Sequence, residues 1–364
     1  MNVEHSVRER YTQSAREREE ALCCPVSYDP GLLDILPEEI IAKDYGCGDP
    51  SRYVREGDVV LDLGSGGGKI CYLAAQLTGA DGQVIGVDIN DEMLALARKY
   101  RELMADRLGN DRVRFVKGYI QDLALDPVAL QHRLQQYPVS NPQEYAELKA
   151  WEYRQRTERP LIPDASVDLV ISNCVLNLVP DHEKRQLVAG IHRVLKPGGR
   201  IAIADIVSDR PVPAELKKNA ELWSGCISGA FQDTEFLQVF VDSGFHAVRL
   251  DKWEARPWRV VEGIAFHSVT LTAVKGGTAA SGKELQEIIY RGPFAEVTDD
   301  SGQHYRRGER MAVSGEQFAR LTDSVYQDAF IAPGNRDVRD TTACCSTALH
   351  SVHETNSGDG GCCG

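Results

Sequence analysis

No apolar run in the chain approaches the ~18 residues of a membrane-spanning helix, and the opening "MNVEHSVRERYTQSAREREEALCC" carries no apolar core. Neither a membrane span nor a secretory leader is therefore expected. A block of basic charge is missing too: 54 acidic residues outnumber 41 basic ones, for a formal charge of -13. That balance argues against nucleic acid or a membrane surface as partner and for a small molecule. Among the ten cysteines there is no C-x-x-C pair and no Cys/His array with zinc-ligand spacing. A cytoplasmic location follows, where thiols stay reduced and a disulfide framework is not expected.

What is present suffices for a large α/β domain with appendages, since 42% of the residues are hydrophobic. Residues 1–57 read as a thiol-bearing cap or lid, helical at first and then punctuated by Gly and Pro. From Val59 the pattern alternates: strand "VVLDLG", helix "KICYLAAQLTG", strand "QVIGVDI", helix "EMLALARKYRELMADRL", strand "VRFVKGYI", strand "SVDLVIS", helix "HEKRQLVAGIHRVL", strand "RIAIADIV". The alternation predicts a doubly wound, Rossmann-like α/β domain over 58–275, built on a parallel sheet. An insertion at about 124–163 is expected to be helical and to cover the site. The run "GGTAASGK" reads as a linker, 284–333 as a small β-rich C-terminal domain, and 334–364 as a disordered, Cys-containing tail.

"VVLDLGSGGGK" runs a hydrophobic strand into a glycine-rich turn and then a helix. Gly64, Gly66 and Gly68 let the backbone approach a ligand, and Asp88 at the end of "VIGVDI" can accept both ribose hydroxyl protons. The pair predicts a nucleoside site. Two features favour S-adenosylmethionine over a nicotinamide dinucleotide: Asp62 stands inside the strand before the glycines, and "HRVLKPGGRIAIAD" follows the fourth strand. Both resemble class I methyltransferases. A dehydrogenase would need a hydride-handling set of His or Tyr and Lys, which has no place in the pattern.

Cys174, in "SNCVLNLVPD" beside Asn173, follows a buried strand whose C-terminal end should face the ligand. Cys226 in "ELWSGCISGAF" and Cys47 in "DYGCGDP" also sit among glycines. Thiols in such turns suggest a soft-acceptor site, whereas Cys71 in "KICYLAAQL" reads as helix packing.

With these elements the chain resembles the arsenite S-adenosylmethionine methyltransferases, over about Arg8 to Ile331. The resemblance rests on Cys23 or Cys24, "YGCG", "LDLGSGGG", "GVD", "GYIQDL", "SNCVLNLVPD", "HRVLKPGG", "LWSGCISGA", "FHSVTLTAVK" and the Cys-Cys tail. It implies that Cys174 and Cys226 ligate trivalent arsenic. Cys47 and Cys24 or Cys23 would then supply the third thiolate and the redox partner. Tyr45, Asp62, Gly64, Gly66, Gly68, Asp88, Ile120 and Asn173 would line the S-adenosylmethionine site. It further implies arsenic detoxification, with arsenite or its thiol conjugates as substrate and thioredoxin or glutathione as reductant. The chain departs from the family at Gly225, where a Glu is usual, and at "ISGA", where "LGGA" is usual. Methylation of another soft metalloid or a small organic molecule, or metalloid binding without catalysis, are the alternatives.

Overall fold

The alternating runs assemble into one mixed sheet in the computed structural model, which describes residues 3–17, 19, 26–43, 45–276 and 285–333. Most of the linker "GGTAASGK" and the tail from 334 lie outside the described residues. Helices α1 (Val3–Arg16), α2 (Pro30–Leu33) and α3 (Glu38–Ala42) come first. They lead to β1 (Val59–Leu63), α4 (Lys69–Leu77), β2 (Gln83–Asp88), α5 (Asp91–Lys99), α6 (Arg101–Leu108) and β3 (Val113–Lys117). The insertion forms α7 (Pro127–Gln136) and α8 (Pro142–Glu158), ahead of β4 (Val167–Asn173), α9 (Lys184–Val194) and β5 (Leu195–Ser208). Next come α10 (Ala214–Lys217), α11 (Ala220–Ser224), β6 (Phe231–Gln232), α12 (Asp233–Asp242), β7 (Phe245–Trp253), β8 (Arg259–Val261) and β9 (Ile264–Lys275).

The strand order is β3-β2-β1-β4-β5-β9-β7, with β6 paired to β5 and β8 to β9. Strands β1 to β5 pair in parallel, and β9 runs antiparallel to both β5 and β7. Parallel strands are covered on both faces, which is why "VVLDL" and "VDLVISN" are nearly continuous in apolar residues. Successive residues of β1 serve opposite faces: Leu61 and Leu63 join the core beneath α9, while Val60 packs with Ile70, Leu73 and Ala74 of α4. The order reverses between β1 and β4, where Leu63 is level with Ser172. A ligand crevice opens at such a reversal, outside the strands' C-terminal ends.

Two details differ from the sequence pattern. The helix expected over 92–108 breaks at Tyr100 (φ -103°, ψ 6°), whose hydroxyl is tied to Glu39 of α3. Strand β5 starts at Leu195 instead of Arg200, because Leu195 pairs with Val167 ahead of an irregularity in β4. Insertion helix α8 is tied by Arg156 to Asp122 in the turn after β3.

Of the described residues, 285–297 and 304–333 group as a second compact unit. Its described part contains β10 (Gln286–Tyr290), β11 (Glu296–Thr298), β12 (His304–Arg306), β13 (Arg310–Val313), α13 (Gly315–Leu321) and β14 (Phe330–Ile331). Strand β10 pairs with β13 and β14 over a core of Ile288, Tyr290, Tyr305, Val313 and Leu321. Among the described residues no helix is long and apolar enough to cross a membrane.

The close fit of α4 on the sheet passes through Gly86 of β2, where a Cβ would lie 2.8 Å from Cys71 Sγ, Phe115 and Ser65 Cβ. Gly86→Ala is expected to cost about 1–3 kcal/mol by overpacking. The urea midpoint should fall with the m-value kept; an unchanged midpoint would mean that α4 can shift away freely.

Candidate active site

The turn after β1 wraps a cavity of about 490 Å³ at the sheet's reversal point. Asp62, Gly64, Ser65, Gly66 and Gly67 line it from below, Asp88, Ile89, Asn90 and Met93 from the β2 side, and Gly118 to Gln121 from the turn after β3. Asp88 is held at the rim: its Oδ2 accepts from Gly66 N at 2.9 Å and its Oδ1 from Asn90 N at 2.8 Å. Burial pushes its carboxyl above the usual range, opposed by those backbone donors. The Ser65 hydroxyl is buried with no hydrogen-bond partner among the described residues, so the cavity contains a polar group that a ligand can satisfy. Volume, glycine turn and rim carboxylate together fit a nucleoside-bearing ligand such as S-adenosylmethionine.

The other wall is made by Tyr45, Asn173, Cys174, Val175 and Leu178, and by residues of α1 including Tyr11. Behind Cys174 the polypeptide brings three buried thiols together from separate elements: Cys47 (3% exposed), Cys174 (9%) and Cys226 (4%). Cys174 follows β4, Cys226 follows α11, and Cys47 sits in the loop after α3. That loop is fastened to the sheet by Asn173, whose Oδ1 accepts from Cys47 N (3.0 Å) and Gly48 N (3.1 Å), while its Nδ2 donates to Gly48 O (2.9 Å). The glycines flanking Cys47 permit this approach. A Cβ on Gly46 would stand 2.2 Å from Asn173 Nδ2, and one on Gly48 2.6 Å from Ala204 Cβ.

The Cys226 thiol donates to Cys174 O at 3.0 Å. Lys184, buried under the Cys226 turn, donates to Gly229 O at 2.6 Å and pairs with Asp181 at 2.7 Å. Hydrogen bonding to the Cys226 and Cys47 thiols, with burial, holds the Cys174 thiol well above the ordinary cysteine value. Burial raises Cys47 as well. Cys47 and Cys174 are therefore protonated at neutral pH.

Sequence reasoning missed two groups. Asp205 of β5 is fully buried, and one of its oxygens lies with the sulfurs of Cys47 and Cys174 in a group whose atoms are all within 4.8 Å of one another. It accepts from Leu176 N (2.9 Å), Asn177 Nδ2 (2.8 Å) and Ile206 N (2.8 Å), and burial raises its carboxyl to about 6. The signal was a lone acid inside the apolar strand "RIAIADIV". Tyr11 of α1 faces Cys226, and nothing in the pattern of α1 marks it.

Of the residues expected at the cofactor, Tyr45, Asp62, Gly64, Gly66, Asp88, Ile120 and Asn173 line the cavity. Gly68 does not. It starts α4 with φ +89°, and a Cβ there would strike Phe115 at 2.8 Å, so its place is helix-to-sheet packing. Cys71 donates to Asp62 Oδ2 at 3.2 Å from within α4, outside the thiol cluster. Residues 124–163 contribute nothing to the cavity lining, contrary to the expectation that the insertion covers the site. Cys23 and Cys24 lie outside the described residues.

Residues 55–132 and 152–244 match a family model described as a methyltransferase domain, and residues 279–359 match a domain of unknown function (DUF8838). The arsenite methyltransferase of Aquipseudomonas alcaligenes is 31% identical, over 87% of this chain and 86% of that protein. The arsenite methyltransferase of Homo sapiens is 28% identical, over 88% and 79% respectively. The crystal structure of CrArsM, an arsenic (III) S-adenosylmethionine methyltransferase from Chlamydomonas reinhardtii, superposes with a TM-score of 0.55 at 27% identity. That match covers 82% of this chain and 93% of the other.

The raised thiols set a pH dependence. Free cysteine ionises near ~8.5, so above that pH the native chain keeps protons that the unfolded chain releases. Stability is then fully present below about 8.5 and is lost as pH rises through the native values. Urea unfolding of the ligand-free protein should weaken from pH 8 to 10, and Cys174→Ser should flatten part of that slope. Identical slopes for the two proteins would contradict the assignment.

Proposed function

The chain belongs to the arsenite methyltransferase family, and from that membership we propose that it transfers the methyl group of S-adenosylmethionine to trivalent arsenic held by Cys47, Cys174 and Cys226. The observation that carries the reading is the position of Cys174, which lines the cofactor cavity and also belongs to the buried thiol cluster. An acceptor bound there reaches the cavity with no intervening group.

Neutral thiols suit this substrate. Arsenous acid is uncharged, and each exchange forms an As–S bond, breaks an As–O bond and sends the thiol proton away with the hydroxide as water. No net charge enters the buried site, so the desolvation cost of an ion is avoided. Three sulfurs occupy one side of the pyramidal arsenic and leave its lone pair free for the cavity. When bound, S-adenosylmethionine supplies an electrophilic methyl on a sulfonium, which that lone pair can take by in-line displacement without a general base. Asp88 is placed to accept ribose hydroxyl protons, and the turn at Gly64 to Gly67 gives the backbone close access.

Methylation raises arsenic to the pentavalent state, and two electrons are needed before a further thiol-bound cycle. We assign their supply to a thiol reductant, thioredoxin or glutathione, and place the reaction in the reducing cytoplasm. Cys24 or its neighbour Cys23 is the proposed relay.

Purified protein incubated with S-adenosylmethionine, arsenite and a thiol reductant should yield methylated arsenicals. Cys174→Ser and Cys226→Ser should abolish them with cofactor affinity kept, since a hard, protonated oxygen replaces a soft sulfur. Asp88→Ala should weaken cofactor binding tenfold or more, as expected for the ~1.5–3 kcal/mol of hydrogen bonds to a charged acceptor. Absence of both methylated arsenic and arsenite-dependent S-adenosylhomocysteine would sink the proposal. Full arsenite turnover by Cys174→Ser would remove Cys174 from the acceptor site and reduce it to core packing.

A further inference from the structure

Helix α1 crosses the seam between the two halves of the site. On one side the Asn90 amide, two residues from Asp88, donates to Arg8 O (3.3 Å) and Thr12 Oγ1 (3.0 Å). On the other, Arg10 Nη1 donates to Glu221 O (2.9 Å) and Ser224 Oγ (3.0 Å) of α11, the helix that leads into Cys226. Ser14 O accepts from the Tyr45 hydroxyl at 3.0 Å, which fixes the rotation of α1. Between these anchors Tyr11 points inward. Its ring packs edge-on against Tyr45, with centroids 6.3 Å apart, and its hydroxyl lies beside the Cys226 thiol. Tyr11 lines the cofactor cavity, whereas Cys226 does not. Its side chain therefore touches the cavity and the arsenic-side sulfur at once.

From this placement we infer that Tyr11 is a substrate-positioning residue: its hydroxyl donates a hydrogen bond to the Cys226 sulfur and holds that sulfur in place once it carries arsenic. The inference rests on the proposed arsenite chemistry and adds a residue that none of the cysteine or glycine motifs contains. As a free thiol, Cys226 is fixed by its own proton, donated to Cys174 O. Binding arsenic removes that proton and with it the contact. The sulfur then needs a donor, and Tyr11 faces it. A tyrosine hydroxyl ordinarily ionises only at about 10, so it remains a donor across the working pH range. The anchors to Asn90 and α11 place the donor without cost at the moment of binding.

The test compares the full-length wild type with Tyr11→Phe, which keeps the ring against Tyr45 and removes only the hydroxyl, and with Tyr11→Ala. Arsenite binding is followed through the fluorescence of Trp223, three residues before Cys226, alongside the melting temperature, S-adenosylmethionine affinity and steady-state kinetics. Tyr11→Phe is expected to weaken arsenite binding and raise its KM about tenfold, with kcat, melting temperature and cofactor affinity close to wild type. Unchanged arsenite binding in Tyr11→Phe overturns the inference, even if Tyr11→Ala loses it, because the ring alone would then suffice. Parallel weakening of cofactor binding also overturns it, since Tyr11 would then serve the cavity. A wild type that binds arsenite without methylating it refutes the proposed function and still lets the hydroxyl be judged by binding. A wild type that does not bind arsenite refutes both.

Discussion

One buried amide holds the candidate site together. Asn173 ends β4 and uses both ends of its side chain on a loop more than a hundred residues away, accepting from Cys47 N and Gly48 N and donating to Gly48 O. Each such bond contributes only about 0.5–1.5 kcal/mol net, but an amide left unpaired in that environment costs about 1–3 kcal/mol. The asymmetry makes the contact effectively obligatory. It brings Cys47 to the neighbour of Asn173, which is Cys174, so proximity of two thiols follows from one hydrogen-bonding requirement. The Ser268 hydroxyl, donating to Cys47 O at 2.6 Å from β9, holds the loop from its other side.

Two of the thiols occupy strained backbone. Cys174 has φ +63° and Cys226 φ +60°, in the left-handed region where side chains other than Gly, Asn or Asp are uncommon. Such residues cost of order 1–3 kcal/mol each and persist where the surroundings over-determine them. Here the surroundings do. Cys174 N donates to Ala204 O at 2.7 Å, and the Cys226 turn is fixed by Lys184 at Gly229 O and by its own N–H to Trp223 O. The left-handed turn redirects each side chain away from its parent element, and the two residues converge where Cys226 Sγ meets Cys174 O.

Much of this was legible in the chain itself. The sheet followed from periodicity, because buried parallel strands must be nearly all apolar and their helices must not be. The cavity followed from the glycine turn and Asp88, because few residue types can do what those positions require. Gly68 was misread, since a glycine needed for helix-to-sheet packing and one needed for ligand approach look the same in a sequence. Tyr11 and Asp205 were invisible or overlooked for another reason: their meaning depends on tertiary neighbours. Tyr11 acquires its place only when Asn90 and α11 pin α1 from two sides, and Asp205 only when Leu176, Asn177 and Ile206 converge on its carboxylate. The insertion, expected to cover the site, adds no residue to the cavity lining, although Arg156 ties α8 to Asp122, next to the cavity-lining turn of Gly118 to Gln121.

The electrostatics of the thiol pocket bear on which acceptors it can admit. Its three sulfurs are buried and, at neutral pH, protonated on Cys47 and Cys174. The nearest carboxylate, Asp205, titrates at about 6 and so carries negative charge at neutral pH. An oxyanion entering this pocket would lose its hydration and meet Asp205 at close range. Lys184 contributes its charge from under the Cys226 turn, but its own bonds are taken by Asp181 and Gly229 O. A neutral acceptor that trades hydroxide for sulfur and releases water faces neither cost. The same arrangement that permits arsenous acid therefore selects against pentavalent arsenate and phosphate, through desolvation and like-charge repulsion, without any side chain dedicated to rejecting them.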